Sequence, residues 1–370
     1  MTPEVSQSSS QRTFSFSVRI DSVDKFKTLV KEINDSSIVF LILKNEVHLI
    51  HADSGFYICK TLNLLLMDDL KSPIALRIAK DDFINLLNDG IIRFTLDYYT
   101  NKITLSYSDV YDKFLYQYTL PYQEDLLGNY IENLDAFLNY QEYPKISIKY
   151  INTILKIAKT LQVPLKCDGE TLCVDTGNVF IYQKFQSQPF NVNSRLLWLL
   201  RSFSDIIYSV KEYFVVGMPD LIIAVNKYKV SGKHDFDFVT GGKSSYIVKF
   251  TLDNVIKMAK KLKLSSGRFT LNFRNSEAKF TSGDRAYSTV LNIIQSKTAS
   301  SAQSFDDLLD LNQEFKVATA PICKLPSNLF KGVFGNIPSN SAFTLFVKKS
   351  FIVMICNELY IVFGKELENN

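Results

Sequence analysis

The sequence predicts an α+β protein made of six copies of one repeat, a strand, a helix and three strands, paired into three domains. Three observations carry the prediction. The string YINTILKIAKTL at 150–161 returns at 252–262 as LDNVIKMAKKL, the same order of strand-like and helix-like runs recurs along the whole chain, and Gly- or Pro-bearing linkers fall after every second repeat.

The first repeat opens with the alternating strand FSFSVRI, continues with the amphipathic helix DSVDKFKTLVKEI, which Asp21 or Ser22 is placed to cap, and ends in the strands SIVFLILKN, EVHLIHAD and GFYICKTLNLLL. The second repeat reads SPIALRIA, the helix KDDFINLLNDG, then IRFTLDYYT, KITLSYSDV and KFLYQYTLPY, with Asn101 at a tight hairpin turn. The third is KISIK, the helix YINTILKIAKTL, then VPLKCD, TLCVDT and VFIYQKFQ. The fourth is PFNV, NSRLLWLLRSF, DIIYSVKE, YFVVGM and LIIAVNKYKV. The fifth runs SYIVKF, TLDNVIKMAKKLKL, RFTLNFRN, EAKFTSGD and AYSTVLNII. The sixth runs EFKVATA, a short helix in PICKLPSNLFKG that contains Pro321 and Pro326, then SAFTLFVKK, FIVMICN and ELYIVFGKE.

A repeat of this size cannot bury its own apolar face, so neighbours must share a core. Pairing them gives domains at 13–123, 144–230 and 244–370, with linkers at 124–143 and 231–243, a flexible polar tail at 1–12 and a Ser-rich, acidic insertion at 296–312. With 370 residues and 46% apolar content the chain has enough material for several cores. No apolar run reaches the roughly 18 residues of a membrane helix, and the tail has no apolar core of a signal peptide, so a cytoplasmic protein is expected. Five cysteines without a CxxC pair read as buried thiols rather than as a disulfide framework or a zinc ribbon.

Helical periodicity divides the recurring string in the same way in both copies. Ile151, Ile154, Leu155, Ala158 and Leu161 share one face of the third helix opposite Lys149, Asn152, Lys156, Lys159 and Thr160, as Leu252, Val255, Ile256, Ala259 and Leu262 oppose Lys257, Lys260 and Lys261 in the fifth. Across the six helix windows (22–33, 80–90, 149–161, 194–203, 252–263, 322–332) there are 15 Lys or Arg against 6 Asp or Glu, whereas the chain as a whole has 42 against 38. Positive charge is therefore concentrated on the helices, which points to a polyanionic partner. The second helix, with Asp81, Asp82 and Asp89 against Lys80, is the exception.

Six strand-helix-three-strand repeats in this length, with basic helices, resemble the three-domain DNA sliding clamps of the bacterial beta-clamp type. The resemblance spans nearly all of residues 13–368 and rests on repeat order, length and charge placement. It implies a sliding-clamp fold in which sheets form the outside of a ring and helices line a hole around duplex DNA. It further implies a processivity factor that tethers a DNA polymerase, a homodimer closed head to tail, a clamp loader as a further partner, and no enzymatic activity or cofactor. Carried over, the DNA-contacting residues are Lys25, Lys27 and Lys31 on the first helix, Lys149, Lys156 and Lys159 on the third, Arg195 and Arg201 on the fourth, Lys257, Lys260 and Lys261 on the fifth, and Lys324 and Lys331 on the sixth. The net charge of +4 also resembles the herpesvirus-type processivity subunits, which share the fold and hold nucleic acid by charge without ring closure. The alternative reading is therefore an open or monomeric clamp-fold protein of a virus, acting on DNA or RNA in the host cytoplasm. The C-terminal GKELENN lacks the apolar tail of the bacterial partner-peptide pocket, so that pocket is not assigned.

Other signals give way to simpler readings. GGKSS at 241–245 has Asp237 where a phosphate loop needs Gly and is followed by a strand. His48 and His51 lie three apart on a strand and face opposite sides, so they do not share a metal, and His234 is the only other histidine. The acidic neighbours Asp68–Asp69 and Asp81–Asp82 read as turn and helix-start residues. Ser304–Leu311, SFDDLLDL, reads as a surface loop or a short docking segment. Tyr98, Tyr99, Tyr111 and Tyr116 read as sheet residues before they read as base-stacking platforms.

Overall fold

A computed structural model describes residues 13–20, 22–33, 35–53, 55–87, 90–108, 114–125, 137–229, 246–264, 266–272, 277–292, 295–297, 322–325, 327–338, 341–347 and 351–364. The tail at 1–12, most of the insertion at 296–312, the linker at 231–243, Tyr111 and Ser304–Leu311 lie outside the described residues. The chain divides into two compact units, Met1–Lys145 with Ile207–Asn226, and Ile146–Ile206 with Lys227–Asn370.

Alternation in TFSFSVRI makes β1 (Thr13–Ile20) and buries Phe14, Phe16 and Val18. Val23, Phe26, Leu29 and Val30 then form the buried stripe of α1 (Val23–Lys31). Ser22 stands at the N-cap of α1, but its side chain makes no capping hydrogen bond. A meander follows: β2 (Ser37–Leu43), β3 (Glu46–Ala52) and β4 (Phe56–Thr61). GFYICKTLNLLL, expected as one strand, breaks at Leu62, and β5 (Asn63–Met67) leaves the meander to pair antiparallel with β1. The second repeat supplies β6 (Ile74–Ala79), α2 (Lys80–Leu86), β7 (Gly90–Asp97), β8 (Lys102–Ser108), β9 (Phe114–Pro121) and the short β10 (Gln123–Glu124). Asn101, at φ +50°, makes the β7–β8 turn that its sequence context predicts.

The third repeat has β11 (Lys145–Ser147), α3 (Asn152–Leu161), β12 (Leu165–Cys167), β13 (Thr171–Asp175) and β14 (Val179–Lys184). The fourth has β15 (Phe190–Val192), α4 (Ser194–Phe203), β16 (Ile206–Val210), β17 (Tyr213–Met218) and β18 (Leu221–Asn226). The fifth has β19 (Tyr246–Thr251), α5 (Asp253–Leu262), β20 (Gly267–Asn272), β21 (Glu277–Ser282), β22 (Ser288–Asn292) and β23 (Gln295–Lys297). The sixth has β24 (Ile322–Leu325), a π-type helix α6 (Leu329–Phe334), β25 (Ala342–Val347), β26 (Phe351–Cys356) and β27 (Leu359–Gly364).

The sixth repeat corrects the sequence reading. EFKVATA, expected as its first strand, lies outside the described residues, and Ile322–Leu325, expected as the start of its helix, is instead a strand laddered antiparallel onto β20. Pro326 lacks the amide that a helix running through it would need, so a helix over 322–332 is not available to this sequence.

In the first compact unit the strands order as β5-β1-β7-β8-β9 in one sheet and β10-β6-β2-β3-β4-β18-β17-β16 in the other. In the second they order as β15-β12-β13-β14-β27-β26-β25-β19-β23 and β22-β21-β20-β24. Two joints continue sheets from repeat to repeat, β4 with β18 (Phe56↔Val225 to Lys60↔Leu221) and β14 with β27 (Val179↔Phe363 to Gln183↔Leu359). Each joint pairs the final strand of one meander with the final strand of another. Because β18 extends the sheet of β4, β16 to β18 group with the first compact unit.

Shared cores hold neighbouring repeats together. Phe83 of α2 meets Phe26 of α1 edge-on at 6.2 Å and Phe40 of β2 at 5.2 Å, and Phe94 of β7 stacks on Phe16 at 4.6 Å. Phe280 of β21, Phe330 and Phe334 of α6, and Phe343 of β25 form the corresponding chain of rings between the fifth and sixth repeats.

Within the stretch expected as a polar linker, 124–143, Phe137 and Tyr140 pack onto the sheet while Leu138, Asn139, Gln141 and Glu142 are exposed. Phe137 is 1% exposed, with its ring 5.0 Å from that of Tyr57 and 5.1 Å from that of Tyr213. Tyr140 lies edge-on to Tyr208 at 4.9 Å. Together they close the sheet face formed by Val39, Leu41, Ile50, Val215 and Ala224, apolar surface that would otherwise meet water. Gly217 has no side chain beneath the Tyr140 ring, and a Cβ there would overlap it.

Candidate nucleic-acid interface

The repeated string folds the same way twice. Aligning it residue for residue sets Asn152, Lys156, Ala158 and Lys159 of α3 against Asp253, Lys257, Ala259 and Lys260 of α5. Both helices follow a residue of near-bridge conformation, Ile151 (φ −98°, ψ 11°) and Leu252 (φ −103°, ψ 18°). Both end on a left-handed residue, Gln162 (φ 57°) and Lys263 (φ 51°). Ile154, Leu155 and Ala158 are buried in one, Val255, Ile256 and Ala259 in the other, which sends the lysines to the opposite face.

Within the second compact unit the helices form one row, α4 against α3, α3 against α6, and α6 against α5. Gly332 lets α6 approach α3, since a Cβ there would overlap the Leu161 side chain, and Asn336 Nδ2 donates to Thr160 Oγ1 at 3.1 Å across the same contact. The row carries Arg195, Arg201, Lys156, Lys159, Lys331, Lys257, Lys260 and Lys261, and Asp253 is the only acid within its four helices. Cations on neighbouring helices with so few carboxylates among them give this row a positive potential.

The individual side chains are not equivalent. Lys257 Nζ donates to Asp253 Oδ2 at 2.6 Å, and Arg201 Nη1 stands 2.6 Å from Asp205 Oδ1, both one helical turn apart. Lys260 Nζ donates to the Ile337 carbonyl at 3.3 Å. Lys156 and Lys159 have no carboxylate partner among the described residues; their ammonium groups lie 5.8 and 4.8 Å from the ring centroid of Trp198 on α4. Lys261 and Lys331 are exposed. Lys149 is exposed but precedes α3 rather than lying on it. On α1 of the first compact unit Lys25 and Lys31 are exposed and Lys27 is half-buried. On α2, Lys80 Nζ donates to the Ile33 carbonyl at 2.6 Å, which leaves Asp81 and Asp82 exposed.

Lys324 departs from its expected place. It belongs to β24, paired with Arg268, and so is not part of the sixth helix for the reason given by Pro326. Trp198 was not singled out by the sequence reading, although it is the only tryptophan in the chain and sits inside a basic helix. The two neutralising aspartates were also missed, and their signal was present as i,i+4 spacing to Lys257 and Arg201.

The other sequence candidates resolve as structural residues. His48 bonds Thr61 Oγ1 and Glu46 Oε2, each at 3.0 Å, and His51 bonds Asp53 Oδ2 at 3.1 Å. Tyr116 donates to the Leu86 carbonyl and stacks on Tyr107, while Tyr98 and Tyr99 stand exposed at a turn. Cys59, Cys167, Cys173 and Cys356 are buried free thiols. Among the described residues no group of His, Cys, Asp or Glu side chains is arranged to hold a metal, and no helix is long and apolar enough to cross a membrane.

No family model matches the sequence, and no curated protein matches it. Solved structures do match the fold. The beta chain of DNA polymerase III from Streptococcus pneumoniae aligns with a TM-score of 0.65 at 10% identity, covering 95% of this chain and 99% of that one. The beta subunit of DNA polymerase III from Borrelia burgdorferi, in complex with a natural product, aligns at 0.66 and 11% identity over 96% and 100%. The beta clamp of Helicobacter pylori, bound to a DNA ligase peptide, aligns at 0.61 and 11% identity over 95% and 99%. The chain has the α+β sliding-clamp fold of these proteins, as its six-repeat order implied.

Proposed function

We propose that this protein is a DNA sliding clamp, a non-catalytic processivity factor that encircles duplex DNA and tethers a polymerase, with domains at 13–123, 144–230 and 244–370. The observation that carries the reading is the row of basic helices, nearly free of acids, on a clamp fold that extends over the whole of the solved clamps it matches. Its contacts are Lys25, Lys27, Lys31, Lys149, Lys156, Lys159, Arg195, Arg201, Lys257, Lys260, Lys261 and Lys331, which touch phosphates and read no sequence. The ligase peptide on the Helicobacter clamp supports a role in tethering partner enzymes by short peptides.

Sheet topology supports closure as a head-to-tail homodimer. Four meanders end in a joint with another meander, while β9 and β22, the corresponding final strands of the second and fifth repeats, stand at the edges of their sheets among the described residues. Exposed apolar side chains lie on both edges, Tyr118 at 46% and Val290 at 52%. Antiparallel pairing of β9 with β22 of a second copy repeats the two joints already in the chain and makes a heterologous contact that closes after two subunits.

The net charge of +4 favours one competing reading, an open monomer held on DNA or RNA by charge alone. Light scattering and a comparison of circular with linearised DNA separate the two. A dimer retained on closed circles and lost through free ends supports the ring. A persistent monomer whose affinity for linear DNA or RNA falls steeply with salt replaces it with the open form.

A further inference from the structure

We propose that Trp198 is a positioning residue that holds Lys156 and Lys159 together as a seat for one backbone phosphate of the duplex. The inference rests on the clamp reading above. Lys156 and Lys159 are one turn apart on α3, and both ammonium groups lie within 6 Å of the same indole ring on α4, at 5.8 and 4.8 Å. The negative face of an indole attracts a cation, and Trp is the strongest of the aromatic residues in this respect. Two lysines on a solvated helix would otherwise drift apart, by mutual repulsion and through the freedom of their four-carbon stems.

Neither ammonium has a carboxylate partner among the described residues, and α3 contains no acid. The ring reduces the cost of holding two like charges close without neutralising either, so the pair retains its full charge for the non-bridging oxygens of one phosphate. The corresponding lysines on α5 are held differently, Lys257 by Asp253 and Lys260 by the Ile337 carbonyl. Charge on α3 is thus ready for an anion, whereas charge at the equivalent place on α5 is partly spent. Trp198 is half-buried, so a phosphate seated on the lysines comes near a ring that is still partly open to solvent.

The chain has a single tryptophan, so its emission reports on this one place. The probe is a labelled duplex, titrated at several salt concentrations against wild type, Trp198→Phe, Trp198→Leu and the double variant Lys156→Gln/Lys159→Gln. Expected for the wild type is a change in tryptophan emission that saturates together with duplex binding. Trp198→Leu weakens binding about two- to fivefold, the worth of one exposed cation–aromatic contact, and Trp198→Phe restores most of that loss by returning a ring face. Removing both lysines lowers the slope of log affinity against log salt by about 0.9, one phosphate. Because these lysines lie on the surface side of α3, the double variant folds even if Trp198→Leu does not. The proposal is overturned if emission is unchanged at saturation, or if Trp198→Leu binds as the wild type does while the double variant is weakened. If Lys257→Gln/Lys260→Gln, titrated alongside, and all other variants bind the duplex as the wild type does, or if the wild type binds neither the linear duplex nor the same sequence in a nicked circle, the clamp reading fails with it.

Discussion

Lys257 is paired with Asp253 one turn earlier on α5, at 2.6 Å, whereas its counterpart Lys156 has Asn152 at the corresponding position of α3 and no carboxylate partner among the described residues. One Asn-to-Asp difference between two copies of a string therefore sets how much positive charge each copy offers. An exposed pair of this type is worth about 0.3–0.5 kcal/mol, so the difference is a bias rather than a switch.

Reversing charge on α3 is accordingly expected to cost more than reversing it on α5. Lys156→Glu/Lys159→Glu should weaken duplex binding more than Lys257→Glu/Lys260→Glu, while Asp253→Asn should strengthen it by about twofold or less. Fluorescence anisotropy with a labelled duplex at low salt ranks the variants, and equal losses from the two lysine pairs would remove the distinction between the helices.

Much of this was legible in the sequence because the fold repeats. Apolar residues at helical spacing placed α3 and α5 and sorted their lysines onto one face, and Asn101 announced its turn through its own side-chain chemistry. What failed was carried by contacts distant in sequence. Phe137 and Tyr140 have no periodicity to separate them from a polar linker, and only the sheet face they cover gives them a role. The strand at Ile322–Leu325 is fixed by its ladder to β20, a partner that no local pattern names, although Pro326 marked where a helix had to stop. Trp198 shows its relation to Lys156 and Lys159 only once α3 and α4 are side by side.

The cover over the first unit's sheet makes a stability prediction. Gly217→Ala places a methyl group where the Tyr140 ring lies and should cost about 1–3 kcal/mol of unfolding free energy, as overpacking does. Tyr140→Ala alone should also destabilise, but the double variant should lose less than the sum, because the clash needs both side chains. Denaturant melts of the four proteins measure that coupling, and strict additivity would place the Tyr140 ring elsewhere.

Acid should loosen the first compact unit through His48. Burial holds its imidazole below the ordinary value of 6.5, against the pull of the Glu46 carboxylate bonded to it. An unfolded chain takes up that proton near pH 6.5 while the folded one resists it. The contribution is therefore complete above 6.5 and is lost as pH falls from there towards the lower folded value. Melting temperature should drop on going from neutral pH to about pH 5, and His48→Gln should flatten that part of the profile. An unchanged slope in the variant would assign the acid sensitivity to another group.

The four buried thiols should be nearly inert in the folded protein. Burial pushes Cys59 and Cys173 up to about 12 and Cys167 to about 11, and raises Cys356 as well, so little thiolate exists at neutral pH and none of it is exposed. A thiol-reactive chromophore should label none of these four quickly in native buffer and all five cysteines in denaturant. Rapid native labelling of any of the four buried thiols would show local opening of its strand.

Ring closure through the two free edges predicts a paired loss. Tyr118→Asp on β9 and Val290→Asp on β22 each put a carboxylate at the edge where two copies are proposed to join, and an unpaired charge buried there costs about 1–3 kcal/mol or more. Both joints of a variant dimer carry one carboxylate, so dimer dissociation should rise by about thirtyfold or more, with melting of the monomer lowered only slightly, since both side chains are exposed in the single chain and Tyr118 gives up one edge contact with Tyr116. The contact is heterologous, so mixing the two variants should not restore a closed ring: each joint pairs β9 of one copy with β22 of the other, and in a mixed dimer one joint is intact and the other carries both carboxylates. Light scattering of the mixture should therefore find at most an open dimer with one working joint, and a mixture as stable as the wild type would place the subunit contact on a different edge.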